Sequence, residues 1–116
     1  MKYFILVLFF VALFDPIFGQ TVSDTLIQKL SLQIALKIRD SLNLTPGQGN
    51  ALFHANRFIY QKKVEARQLY GTDRQVIGQK LQEAENMRDS LYAQILMPEQ
   101  FTRYKTRKGE LTRITN

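Results

Sequence analysis

One pattern, L-x-P-x-Q, occurs twice in this chain of 116 residues, as Leu44-Thr45-Pro46-Gly47-Gln48 and as Leu96-Met97-Pro98-Glu99-Gln100, 52 positions apart (96 − 44). Each copy reads as the start of a helix. Proline suits the first helical position, where its missing N–H costs nothing, and glutamine two residues later suits the third, from which its side chain reaches back to the capping backbone. In the first copy Thr45 supplies an N-cap oxygen and completes a capping box with Gln48. In the second copy Met97 stands in the cap position and offers no such oxygen, but Leu96 and Phe101 sit where a hydrophobic staple forms; the first copy has Gly49 there instead. Arg39-Asp40-Ser41-Leu42 precedes the first copy and Arg88-Asp89-Ser90-Leu91 the second, so two half-chains are expected to share one design.

The apolar spacing around these two starts is helical throughout. Leu26, Leu30, Ile34 and Ile38 recur every fourth residue with Ile27 beside them, which predicts a helix over 23–42 ended by Asn43 and the proline-containing turn. A second helix is expected over 46–70, with Leu52, Ala55, Ile59, Ala66 and Leu69 inward and Gly71 as its stop. Asp73 or Thr72 caps a third, carrying Ile77, Leu81, Ala84, Met87, Leu91 and Ile95. A short fourth helix runs from Pro98 to about Arg107 and presents Phe101 and Tyr104. Residues 108–116 are expected to form a flexible basic tail. No stretch alternates with the period of two that strands require. The expected fold class is therefore all-α, with four helices of which the middle two are long.

Upstream of the helices, Lys2 is followed by an apolar run from Tyr3 to Phe14, then Asp15-Pro16 and Gly19. A charged start, a short apolar core and a small residue describe a secretory signal peptide, and a run of 12 residues (14 − 3 + 1) is shorter than the roughly 20 that cross a bilayer. Residues 1–19 are read as that signal and cleavage is expected after Gly19; an uncleaved anchor is the competing reading. The 97 residues left (116 − 19) suffice for one small domain, read as 20–107 plus the tail. With no cysteine, disulfides, thiol chemistry and lipoprotein anchoring are excluded.

With Thr45 and Gln48 in the first L-x-P-x-Q copy, and Leu96 and Gln100 in the second, the sequence resembles the Spy/CpxP family of small periplasmic proteins, whose hallmark is a pair of LTxxQ motifs in an all-helical fold. Met97 departs from that pattern. The resemblance implies a periplasmic location, an antiparallel, cradle-shaped homodimer, and an ATP-independent, chaperone-like activity toward unfolded or aggregation-prone envelope proteins. On this reading Leu44, Thr45, Pro46, Gln48, Leu96, Pro98 and Gln100 have a structural role. The alternative is a regulatory subunit that binds the sensor domain of an envelope-stress or metal-stress kinase.

Residue chemistry points away from an enzyme. There is no glycine-rich phosphate loop and no G-x-S-x-G elbow, and His54 is the only histidine, so neither a catalytic set, a cofactor nor a metal site is expected. Basic residues on the second helix are the better candidates. Arg57, Lys62, Lys63 and Arg67 are interleaved with Phe58, Tyr60 and Tyr70, a mixture that holds acidic groups by charge and apolar groups by rings and long stems. Arg57, Phe58, Lys62, Lys63, Arg67 and Tyr70 are the expected client-binding residues. The net charge of +6 also suits weak contact with an anionic membrane surface, whereas export argues against nucleic acid as a partner. Glu83, Glu85 and Asp89 alternate with Lys80 and Arg88 on the third helix, which reads as an exposed, ion-paired face.

Overall fold

A computed structural model describes residues 24–113; the expected signal segment 1–19 lies outside the described residues. Among the described residues the fold is all-α, with four helices: α1 over 24–42, α2 over Pro46–Tyr70, α3 over Arg74–Ile95 and α4 over Pro98–Leu111. The two long central helices pack as a hairpin, and α1 and α4 close over the end of that hairpin that carries the two L-x-P-x-Q segments.

The first connection is short because its residues satisfy the helix ends locally. Asn43 adopts the left-handed conformation at φ 55°, and the Leu44 amide donates to the Arg39 carbonyl at 3.0 Å, the six-to-one bond of a Schellman ending. Two residues later α2 begins with the expected capping box: the Gln48 amide donates to Thr45 Oγ1 at 3.1 Å, and the Thr45 amide to Gln48 Oε1 at 3.0 Å. At the far end of the hairpin Gly71 is right-handed, so conformational freedom is not what selects it. A Cβ there would lie 2.4 Å from the Arg67 carbonyl oxygen, and only glycine fits. Asp73 Oδ1 then accepts from the Val76 amide at 3.2 Å and caps α3.

The second L-x-P-x-Q copy starts α4 by other means. The Met97 amide donates to Gln100 Oε1 at 2.8 Å, which is the glutamine half of the box. Leu96 is buried in the core and Phe101 packs against it, so both arms of the staple are held. The two motifs also meet directly. Gln48 Nε2 donates to Gln100 Oε1 at 2.8 Å and to the Ile95 carbonyl at 3.2 Å, so one amide caps its own helix, ties the other motif's glutamine and satisfies the last carbonyl of α3.

One contiguous cluster forms the core: Ile34, Ala35, Ile38 and Leu42 of α1, Leu44, Leu52 and Ala55, then Tyr92, Leu96, Tyr104 and Leu111. Phe53, Tyr60, Leu91, Ile95 and Phe101 pack against it. The cluster lies wholly within 34–111, so a chain of residues 20–116 carries all of it. Three expected core positions are exposed instead: Leu26 at 53%, Leu69 at 72% and Met87 at 38%. The buried face of α1 runs through Ile27, Ser31, Ile34, Ile38 and Leu42, a stripe rotated by one residue from the one that Leu26 and Leu30 suggested.

The expected tail also needs correction. α4 passes Arg107, where a break to φ −110°, ψ 16° interrupts the helix, and continues to Leu111. Leu111 is fully buried, and Lys37 of α1 donates to the carbonyls of Glu110 at 2.7 Å and Arg113 at 3.2 Å. A lysine capping the last carbonyls is the favourable arrangement at a helix C-terminus. Residues 108–113 therefore belong to the domain.

Candidate functional site

Two features stand out above the core: a polar network across all four helices, and a groove near the tip of the α2–α3 hairpin. The network centres on Arg88, which is 1% exposed and not on an outer face. Its Nη1 donates to Asn56 Oδ1 at 3.0 Å and to the Tyr92 hydroxyl at 3.4 Å, and its Nε pairs with Glu85 Oε1 at 3.2 Å. Tyr92 donates in turn to Asn56 Oδ1, and Asn56 Nδ2 to the Ser31 carbonyl of α1 at 3.3 Å. Glu85 also receives Lys63 of α2 and Lys108 of α4, the latter at 3.0 Å. Asp89, one residue beyond Arg88, accepts from Tyr104 at 2.8 Å, Lys105 at 2.8 Å and Lys108 at 2.9 Å.

Such a network keeps its charges. Burial alone would raise the Glu85 carboxyl, but Arg88, Lys63 and Lys108 outweigh it and hold the group down at about 2. Burial is likewise overcome at Asp89, where hydrogen bonds from Lys105, Lys108 and Tyr104 hold the carboxyl at about 2. Tyr92 and Tyr104 are pushed up, first by burial, and Tyr104 further by the Asp89 carboxylate it serves. Glu85 and Asp89 thus stay ionised and Tyr92 and Tyr104 protonated around neutrality, which suits a lock between helices. Among the described residues no three His, Cys, Asp or Glu side chains are grouped so as to hold a metal ion. His54 is exposed and stacks edge-on with Phe53, ring centroids 5.2 Å apart.

Lys63 is thus committed to Glu85 and half-buried, so it is not the free cation that its place in the sequence suggested. The other five candidates divide between opposite sides of α2. Phe58 and Arg67 are nine residues apart, and at about 100° per residue that is half a turn. Arg57 is half-buried with its guanidinium 5.8 Å from the Phe53 ring, on the side facing α1. Phe58, Lys62 and Tyr70 fall near the hairpin groove, and Arg67 is exposed away from Phe58.

The groove lies between the last two turns of α2 and the first half of α3. Ala66 and Ala84 form its floor, Leu69 and Met87 its apolar walls, and Lys62, Glu65, Lys80 and Glu83 its rim. Small residues at the floor hold the two backbones close, while the larger apolar residues that would fill such a space point outward. Leu69 is 72% exposed, Met87 38% and Phe58 41%. Lysines sit over the neighbouring rings: Lys62 Nζ is 5.4 Å from the Phe58 centroid and Lys80 Nζ 5.7 Å from that of Tyr70. Asn56 meets Ser31 of antiparallel α1, so Asp24, where the described part of α1 begins, falls near the level of Lys63, and the groove lies beyond it. Leu69 and Met87 escape a sequence reading as surface residues because helical spacing alone assigns every apolar i, i+3, i+4 position to a core, whereas Lys80 lies on the charged face that its neighbours predict.

Compared with protein-family models, with curated proteins and with solved structures, the chain matches none. Its own geometry therefore carries the functional reading.

Proposed function

We propose that this protein is an exported, ATP-independent, chaperone-like protein that holds unfolded or aggregation-prone envelope proteins, as its resemblance to the Spy/CpxP family implies. One observation carries the reading: a hairpin tip with an apolar groove that the described chain leaves open, rimmed by both signs of charge and flanked by ring–lysine pairs. A folded domain gains nothing from leaving Leu69, Met87 and Phe58 exposed together, and clusters of this kind mark interaction surfaces. Methionine and long lysine stems repack easily, so such a surface accepts segments of varied shape. The antiparallel homodimer implied by the resemblance would bring two grooves into one cradle. The network beside it, through Lys63, Glu85 and Arg88, would hold the two helices together while the tip adapts.

Light scattering from two unrelated unfolding proteins, recorded without ATP at rising molar ratios of residues 20–116, tests this. Suppression of both, reduced severalfold by Leu69→Ser with Met87→Ser, is the expected result. Both side chains are exposed, so the double variant should keep its helical circular dichroism. No suppression of either client by folded protein overturns the reading; tight binding to a single folded sensor domain would then identify a regulatory subunit instead.

A further inference from the structure

A second surface, built differently, lies where α1 crosses the first half of α2. Lys29, Leu32, Leu36 and Arg39 follow one another at intervals of three, four and three residues, so they form one stripe along α1. This stripe is separate from the buried one, and Leu32 and Leu36 are 47% and 39% exposed. On antiparallel α2, Pro46, Asn50, Phe53 and Arg57 follow at intervals of four, three and four. Side by side, the two stripes enclose a shallow groove of about 300 Å³ whose lining includes Leu32, Leu36, Phe53 and Arg39 and no acidic residue. The resulting face has an apolar centre and three cations at its margins: Lys29 and Arg39 on α1, and Arg57 beside Phe53.

Lys29 is exposed, Arg57 is half-buried with its Nε covered, and local details set the course of Arg39. The Arg39 stem lies across the start of α2, where a Cβ on Gly49 would come within 3.1 Å of its Cδ. Among the described residues its acidic partner is Asp40 at 3.3 Å, an exposed pair that salt and a competing anion readily replace. The first turn of α2 contains no acidic residue, so the positive end of that helix adds to the same edge.

We propose that this α1–α2 face rests on an anionic lipid bilayer, with Leu32, Leu36 and Phe53 in the interfacial layer and Lys29, Arg39 and Arg57 at the headgroup phosphates. An apolar patch bounded by cations is what an interfacial helix pair presents to such a surface. No described helix is long and apolar enough to cross a membrane, so the contact is lateral. Phe53 and Leu69 are 16 residues apart, which places the face about 160° around α2 from the hairpin groove. The protein therefore rests on the membrane with its groove turned away. This does not depend on what the groove binds.

The chain contains no tryptophan, so single replacements report position cleanly. Residues 20–116 with Leu36→Trp, mixed with vesicles of phosphatidylglycerol and phosphatidylcholine, should show a blue shift of emission that disappears on pure phosphatidylcholine and fades as salt rises. The same chain with Leu69→Trp should show none. Three cations near an anionic surface tighten partitioning by roughly a hundredfold, and Arg39→Ser with Arg57→Ser should remove about thirtyfold of it. Native circular dichroism in each variant excludes unfolding as the cause. An unshifted Leu36→Trp emission on anionic vesicles at low salt overturns the proposal, as does an equal shift at position 69. A Leu36→Trp shift produced by an unfolded acidic protein and not by vesicles also overturns it, and makes the face a peptide site.

Discussion

The tetrapeptide Arg-Asp-Ser-Leu occurs at 39–42 and at 88–91, and its two copies live in opposite environments. Arg39 has a side chain 40% exposed and pairs with the neighbouring Asp40, itself 72% exposed. Arg88 is 1% exposed and binds Asn56, Tyr92 and Glu85. Leu42 belongs to the core, whereas Leu91 only packs against it. The cause is register. The tetrapeptides are 49 positions apart (88 − 39), but the L-x-P-x-Q copies are 52 apart (96 − 44), and three residues turn a helix by about 300°. The repeat thus transmits a way of starting helices and not a helix face: identical letters meet the core at one site and water at the other.

The widest difference between the copies should appear on removing each arginine. Arg88→Ala leaves Glu85 without its most buried partner and the Tyr92 oxygen without a donor, and takes from Asn56 Oδ1 one of its two donors, which should cost about 3–5 kcal/mol. Arg39→Ala removes an exposed pair and should cost less than about 1 kcal/mol. Urea unfolding of both variants measures the contrast. Equal losses would mean that Arg88 contributes no more than a surface residue does.

Leu111 extends the comparison to the segment read from sequence as a tail. Leu111→Ala opens a cavity in the common core and should cost about 2–5 kcal/mol, although Leu111 lies in the last turn of α4. A change below about 0.5 kcal/mol would return residues 108–113 to the status of a frayed end. The charges beside it give a smaller effect that depends on pH. Glu85 and Asp89 have ordinary values of 4.5 and 3.8 when unfolded and about 2 when folded. Folded values below unfolded ones mean that the stabilisation is fully present above about pH 5 and is lost as pH falls toward 2. Lys105 and Lys108 lose their partners in that window, so α4 should loosen first. Glu85→Gln with Asp89→Asn should be less stable at neutral pH and flatter below pH 5, measured by unfolding at a series of pH values.

Helix existence, order and every boundary up to the start of α4 are legible in the sequence because they are set locally. Thr45 with Gln48, Asn43 ahead of a proline turn, and Asp73 ahead of α3 each act within a few residues. Which face of each helix is buried was not legible, because rotation about an axis depends on partners far along the chain. Leu26 and Leu69 fit an inward spacing and are exposed; Arg88 fits an outward one and is buried, because Asn56 and Tyr92 accept from it and Glu85 pairs with its charge. Lys63 reads in the sequence as a free cation for the same reason, since its partner Glu85 lies across the hairpin. The end of α4 was missed because a single leucine in a basic segment carries no periodicity.

The finest difference between the copies is one oxygen atom. Thr45 accepts from the Gln48 amide and Met97 has no oxygen to offer, although Gln100 reaches the Met97 amide much as Gln48 reaches that of Thr45. Thr45→Ala should therefore cost about 1 kcal/mol, and Met97→Thr should gain up to about 1 kcal/mol, because Met97 is 63% exposed and gives up little apolar burial. The staple of Leu96 and Phe101 is untouched by that change, so the second motif would then hold both devices at once. Thermal unfolding of Thr45→Ala, Met97→Thr and the pair measures whether they add. The Gln48–Gln100 bond places the two caps in one network, so the pair should depart from additivity by some tenths of a kcal/mol. Strict additivity would mean that the glutamine bridge joins the motifs in space without coupling their stabilities.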